Sequence, residues 1–148
     1  MFTTVPEAAA LDWDEVRGEL ADEVTYWVVP RSPEGPPHPR PVWGVWLDDG
    51  LHLSIGSPVV RRQLDADPAV TVHTASGTEV VLVEGLSAGA APDPAPALDA
   101  YRRKYDWDYD ADQFGPLTWV RPRDVLAWHA AGDAGRDGFR RVGRWHFD

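Results

Sequence analysis

Three polar side chains stand close enough in this sequence to hold an anion together. They are Ser57, Arg61 and Arg62, in the run Ser54-Ile55-Gly56-Ser57-Pro58-Val59-Val60-Arg61-Arg62-Gln63. Ser57 followed by Pro58 reads as a helix start, a hydroxyl N-cap with proline at the first helical position. The mouth of such a helix aims unpaired N–H groups and the positive dipole end at one spot, which suits a negative group. Arg61 and Arg62 follow one turn later, where two cations make sense beside something negative. The chemistry implied is phosphate binding. The same residues also have a plainer reading. Ser-Pro caps many helices that bind nothing, and Arg61 has Asp65 one turn on, for an ion pair worth only about 0.2–0.5 kcal/mol.

The elements that must position this run are mostly strands. Leu51, Leu53 and Ile55 alternate with His52 and Ser54, the period of a half-buried strand. Asp49-Gly50 before it is a type I′ hairpin signal, joining it to a strand over His38–Leu47. Pro39 and Pro41 confine the start of that strand to an edge or a bulge. With Asp49-Gly50 as the turn, Trp46 faces Leu53 and Val45 faces Ser54. One hairpin face then carries Val42, Trp46, Leu51, Leu53 and Ile55, and the other carries Trp43, Val45, Leu47, His52 and Ser54. Both are apolar enough to need cover, so the second face requires a helix, a ligand or another subunit.

Around this hairpin, Leu11–Val24 reads as an amphipathic helix capped by Asp12, with Trp13, Val16, Leu20 and Val24 on one stripe. Thr25–Val29 is β-rich, and Ser32-Pro33-Glu34-Gly35 is a turn. Asp67-Pro68 stops the Ser57 helix. Ala69–Thr74 and Glu79–Leu86 form a second hairpin about Ser76-Gly77. Leu98, Tyr101 and Tyr105 mark another helix, followed by the acidic aromatic loop Asp106-Trp107-Asp108-Tyr109-Asp110. Leu117–Arg121, Val125–Ala130 and Phe139–Phe147 read as further strands. The fold class is mainly β with short helices, a small antiparallel barrel of at least six strands in one domain over residues 1–148.

Composition bounds the function. The 148 residues carry a net charge of −10, which disfavours nucleic acid and anionic membrane surfaces as partners. There is no cysteine, so no disulfide or thiolate chemistry. No apolar run approaches a membrane span, and Met1–Glu7 lacks the pattern of a secretory leader. A cytoplasmic protein is expected. The five histidines show no metal-ligand spacing along the chain, so no metal site is expected. Eight tryptophans point to an interface or a ligand wall.

Tyr26-Trp27, Arg40-Pro41-Val42-Trp43-Gly44-Val45-Trp46-Leu47, Val80–Gly85, Tyr101–Trp107 and Arg144-Trp145-His146-Phe147 occur here in an order that resembles the pyridoxamine 5′-phosphate oxidase-like flavin-binding split-barrel family, in its short actinobacterial branch. The resemblance implies a six-stranded Greek-key split barrel. It also implies a homodimer with cofactor at the subunit interface and an FMN-dependent oxidoreductase acting on a small molecule. By position it places Pro41, Val42 and Trp43 along the isoalloxazine, and runs Ser54, Ile55, Gly56 and Ser57 from ring to phosphate. Arg62 would meet the phosphate, with Arg61 and Gln63 beside it. A dimer would cover the second hairpin face, with Trp43, Val45 and Leu47 at its centre.

One departure stands out. Val59 and Val60 occupy the place of a basic pair, and doing without a charge-assisted hydrogen bond there costs about 1.5–3 kcal/mol of binding. Two alternatives to FMN follow: the deazaflavin of actinobacterial relatives, and a cofactor-free split barrel serving as a binding module. No side chain is singled out as an acid or base, since in such proteins the cofactor carries the hard chemistry.

Overall fold

The structure, a computed structural model, describes residues 9–148; the Met1–Glu7 run lies outside the described residues. In chain order the strands are β1 (Ala9–Ala10), β2 (Tyr26–Pro30), β3 (Arg40–Val42), β4 (Gly44–Leu47), β5 (Gly50–Leu53), β6 (Ala69–His73), β7 (Glu79–Ala90), β8 (Thr118–Ala130) and β9 (Phe139–His146). The helices are α1 (Trp13–Asp22), α2 (Pro58–Ala66), α3 (Ala95–Tyr105) and α4 (Ala111–Phe114). One curled sheet runs β1-β9-β8-β7-β6-β2-β3, and the β4–β5 hairpin joins it through β8. All pairings are antiparallel except β1 with β9. Among the described residues the sheet has nine strands; the two-residue β1 and the split of one expected strand into β3 and β4, where the chain leaves the ladder at Trp43, account for two of those beyond six.

The prolines explain that split. Pro39 and Pro41 cannot serve a central strand, and β3 accordingly lies at the end of the sheet beside β2. Conversely, Leu117–Arg121 and Val125–Ala130 merge into the single bent β8. Its first residues pair with β5 and its last with β9, and its ladder with β7 shifts register opposite Pro122.

The hairpin differs from expectation by a register step. Leu47 pairs with Gly50, Trp46 with Leu51 and Val45 with His52, so Asp48 and Asp49 form the turn. Neither has a positive φ, so the turn is not type I′. Gly50, at φ +126°, is needed for a different reason. A Cβ there would lie 2.2 Å from the Val120 carbonyl oxygen of β8, so glycine lets two backbones approach. The step moves each pair by two residues and leaves the two faces as read.

The main core holds Val42, Trp46, Leu51, Leu53 and Ile55 with Val16 and Leu20 of α1 and the inner faces of β2, β6, β7 and β8. Asp12 caps α1 by accepting from the Asp14 N–H at 3.1 Å. The expected stripe stops early. Asp22 ends the helix, and Val24 is 59% exposed. The second hairpin face is covered within the chain, by α3: Val45 packs with Ala97, Tyr101 and Leu117 and is buried. Val45 is therefore not available as the centre of a dimer contact, and Leu47 is half-buried against the same cluster.

His52, on that covered face, is also buried. Its Nε2 lies 2.9 Å from Asp49 Oδ1, its ring stacks on Trp119, and its Nδ1 has no hydrogen-bond partner among the described residues. Asp49→Ala would orphan the second ring nitrogen too. It is expected to cost about 1–2 kcal/mol, toward the low end for an unsatisfied buried polar group because Asp49 itself is half exposed. Urea unfolding of both proteins checks this; an unchanged midpoint would show that the contact carries no stability.

Candidate functional site

The end of β5 runs through Ser54, Ile55 and Gly56 into the mouth of α2, as expected. Ser57 caps that helix, accepting from the Val60 N–H at 3.3 Å, and Pro58 opens it. A cavity of about 350 Å³ lies against this junction, lined by Ser54, Gly56 and Arg61 on one side and Tyr101, Trp107 and Phe114 among the residues on the other. The far wall comes from α3 and from the acidic aromatic loop. Asp106 adopts the left-handed conformation at the end of α3, at φ 50°, and Asp110 caps α4 by accepting from the N–H groups of Asp112 and Gln113. The loop aspartates thus shape the turn, while Trp107, Tyr109 and Phe114 face the cavity.

Arg61 does not pair with Asp65. Its Nε donates to the Ile55 carbonyl at 2.6 Å and its Nη2 to the Phe114 carbonyl at 2.6 Å. Both partners are neutral, so among the described residues the guanidinium keeps its charge without a carboxylate counter-ion. Arg61 also ties the wall to the floor. Gly115, at φ +79°, turns the chain just past Phe114, where a Cβ would lie 3.3 Å from the Arg61 guanidinium. Opposite, burial pushes the Tyr101 and Tyr109 phenols above their ordinary value, and the neighbouring Ser54 side chain pulls both the other way. Tyr109 also donates to the Gly115 carbonyl at 2.9 Å.

The structure brings together four of the sequence-derived residues: Ser54, Ile55, Gly56 and Arg61. Ser57 is adjacent but occupied with its cap. Trp43 is 43% exposed and stacks on Tyr105 at 4.4 Å, with Tyr101 beyond it. The rest do not line the cavity. Val42 belongs to the main core, Pro41 is exposed on β3, Arg62 is exposed on α2, and Gln63 is half-buried with Oε1 unpartnered. Val59 is half-buried and Val60 fully buried, so neither is an empty place for a cation. Sequence reasoning misses Tyr101, Tyr109, Gln113 and Phe114 as site residues. The aromatic spacing of α3 and of the loop is their only sequence signal, and it reads equally well as packing.

Behind the aromatic wall, Lys104 locks α3 to the barrel. Its Nζ donates to the Tyr26 hydroxyl at 3.0 Å and to the Gly44 carbonyl at 2.9 Å, above the Tyr26 ring. The Tyr26 hydroxyl donates to the Leu20 carbonyl, and Tyr105 accepts from the Gly44 N–H at 3.0 Å. Burial lowers Lys104 to about 8, against the pull of Glu23 and Asp22, and raises Tyr105 to about 12 and Tyr26 further still. The signs predict a stability maximum. Between about pH 8 and the ordinary lysine value, the unfolded chain binds more protons than the folded one, so stability rises with pH. Above about pH 10 the unfolded tyrosines lose their protons first, so stability falls. Urea midpoints across pH 7–11 should climb, then drop, and Lys104→Met should flatten the climb.

No family model matches the chain, and no curated protein does. Solved structures do. A conserved hypothetical protein from Mycobacterium tuberculosis superposes with a TM-score of 0.65 at 17% identity, over 82% of this chain and 86% of that one. The chain has the split-barrel fold. A second match is an F420 reductase, with a TM-score of 0.56 and 22% identity over 72% of this chain and 93% of that one. A third is a FAD-binding protein from Mesorhizobium loti, with a TM-score of 0.59 and 16% identity over 78% and 92%. Identities at this level carry the split-barrel architecture and nothing finer. Among the described residues no helix is long and apolar enough to cross a membrane.

Proposed function

We propose that this split barrel binds a flavin-type cofactor, FMN first, in the cavity between α2 and α3, and works as a cytoplasmic oxidoreductase on a small molecule. One observation carries the reading: a guanidinium without a counter-ion among the described residues, held by two carbonyls, on the floor of an aromatic-walled cavity at a helix mouth. A planar aromatic ligand with an anionic tail has the complementary chemistry. When bound, the flavin would supply hydride or electron transfer. The chain's own residues would orient it. Arg61 would take the negative charge, and Tyr101, Tyr109 and Trp107 the apolar ring surface, beside Ser54. Arg62, the phosphate contact implied by resemblance, is a weaker candidate because it is exposed to solvent.

The cavity volume is near the lower limit for ligand sites. A whole flavin nucleotide would be enclosed only with help from a second chain, which favours a homodimer. Trp43, Trp107 and Phe114, each 43–57% exposed, are the aromatic surface such a partner would cover. The likeness to an F420 reductase favours deazaflavin as the second reading.

The protein purified without added cofactor should be yellow and release FMN, identified by absorbance and mass spectrometry, and should scatter light as a dimer. A fluorescent deazaflavin would replace the first reading with the second. A colourless protein that ignores both cofactors at high micromolar concentration would leave a cofactor-free binding module.

A further inference from the structure

The five histidines have no metal-ligand spacing along the chain, but folding makes one. His129 of β8 comes to rest against Glu15 and Glu19, which stand one turn apart on α1. A donor atom from each of the three lies within 4.8 Å of the others. His129 Nε2 lies 2.5 Å from Glu19 Oε1, and the second Glu19 oxygen, Oε2, is buried with no hydrogen-bond partner among the described residues.

We propose that Glu15, Glu19 and His129 form a binding site for a divalent transition-metal ion of the zinc or nickel type. One imidazole and two carboxylates are the mixed donor set that such borderline ions accept, and three protein ligands leave an open position for water. Arg141 of β9 is bound to Glu15 through both carboxylate oxygens, at 2.8 Å each. It competes for charge, but each oxygen retains a lone pair, and an outer partner of this kind orients a ligating carboxylate. A groove of about 470 Å³ between α1 and the β6–β7 turn takes in Glu15 and Glu19, and its other carboxylates include Asp22, Glu23 and Glu79. It gives an ion an entry path and raises its local concentration. The bound ion would join α1 to β8, away from the aromatic cavity.

The test uses untagged full-length protein dialysed against a chelator, titrated with Zn2+ or Ni2+ and followed by calorimetry and thermal unfolding. One ion should bind per chain, and at about a hundred times its Kd it should raise Tm by roughly 5–10 °C. Mg2+ at the same concentration should not. His129→Gln and Glu19→Gln should each weaken Zn2+ at least tenfold, since even the loss of an outer partner of a metal ligand costs roughly ten- to a hundred-fold, whereas His146→Gln should not. Should Glu19→Gln fail to fold, the more exposed Glu15→Gln carries the same test. No saturable binding below about 1 mM, or binding that Mg2+ matches and the His129 and Glu substitutions do not alter, overturns the site.

Discussion

Val60→Lys is expected to destabilise the domain by about 4–5 kcal/mol at pH 7 and to restore no cofactor affinity. The substitution returns a cation to the place where the resemblance implies a basic pair, so sequence logic alone would try it. The structure gives position 60 a different role. Val60 has no exposed surface and packs in the main core beneath α2. A lysine there folds only if it sheds its proton. Taking a group of ordinary pKa about 10.4 to its neutral form at pH 7 costs about 1.4 kcal/mol for each of some 3.4 units. The same arithmetic leaves about 2 kcal/mol at pH 9, so the penalty must shrink as pH rises. Urea unfolding of wild type and variant at both pH values measures it. A loss below about 1 kcal/mol, or one independent of pH, would mean that the lysine reaches solvent, and the burial argument would fail.

Val60 also illustrates what was legible in the sequence. A strand near Leu51–Ile55 and the Ser57-Pro58 cap are local signals, and both appear, although β5 spans Gly50–Leu53 and is buried on both faces where alternation predicted a half-buried strand. The two faces of the hairpin were legible for the same reason, since a register step of two leaves a period-2 pattern unchanged. What covers the second face was not. A helix, a ligand and a second subunit present the same demand to the strand, and only the tertiary path of α3 selects among them. Gly50 shows the complementary failure. Its neighbour Asp49 made it look like turn chemistry, while its real constraint is the Val120 carbonyl of a strand some seventy positions away. The candidate site divides along the same line. Ser54, Ile55, Gly56 and Arg61 are contiguous with a recognisable helix start, whereas Tyr101, Tyr109 and Phe114 reach the cavity from across the fold. His129 needed the fold as well, because Glu15 and Glu19 lie more than a hundred positions earlier.

Arg61→Gln is expected to weaken FMN binding by about 1.5–3 kcal/mol, or roughly ten- to a hundred-fold, while riboflavin binding stays nearly unchanged. The two ligands share a ring and differ in the phosphate, so their difference isolates the anion contact. Arg61 is the residue to change because its guanidinium lines the cavity and donates to two carbonyls, with no carboxylate partner among the described residues. A glutamine amide can still donate to the Ile55 carbonyl, so the floor should keep its shape while the charge is removed. Arg62→Ala serves as the control. Arg62 is exposed and does not line the cavity, so its loss should leave FMN affinity within about 0.5 kcal/mol, the scale of an ordinary surface change. Quenching of tryptophan fluorescence reads both titrations, with Trp107 on the cavity wall as the reporter. Equal losses for FMN and riboflavin would show that Arg61 acts by holding the Phe114 segment in place instead of receiving a phosphate. A larger loss in Arg62→Ala than in Arg61→Gln would move the anion site out of the cavity and onto the solvent face of α2, where the resemblance first put it.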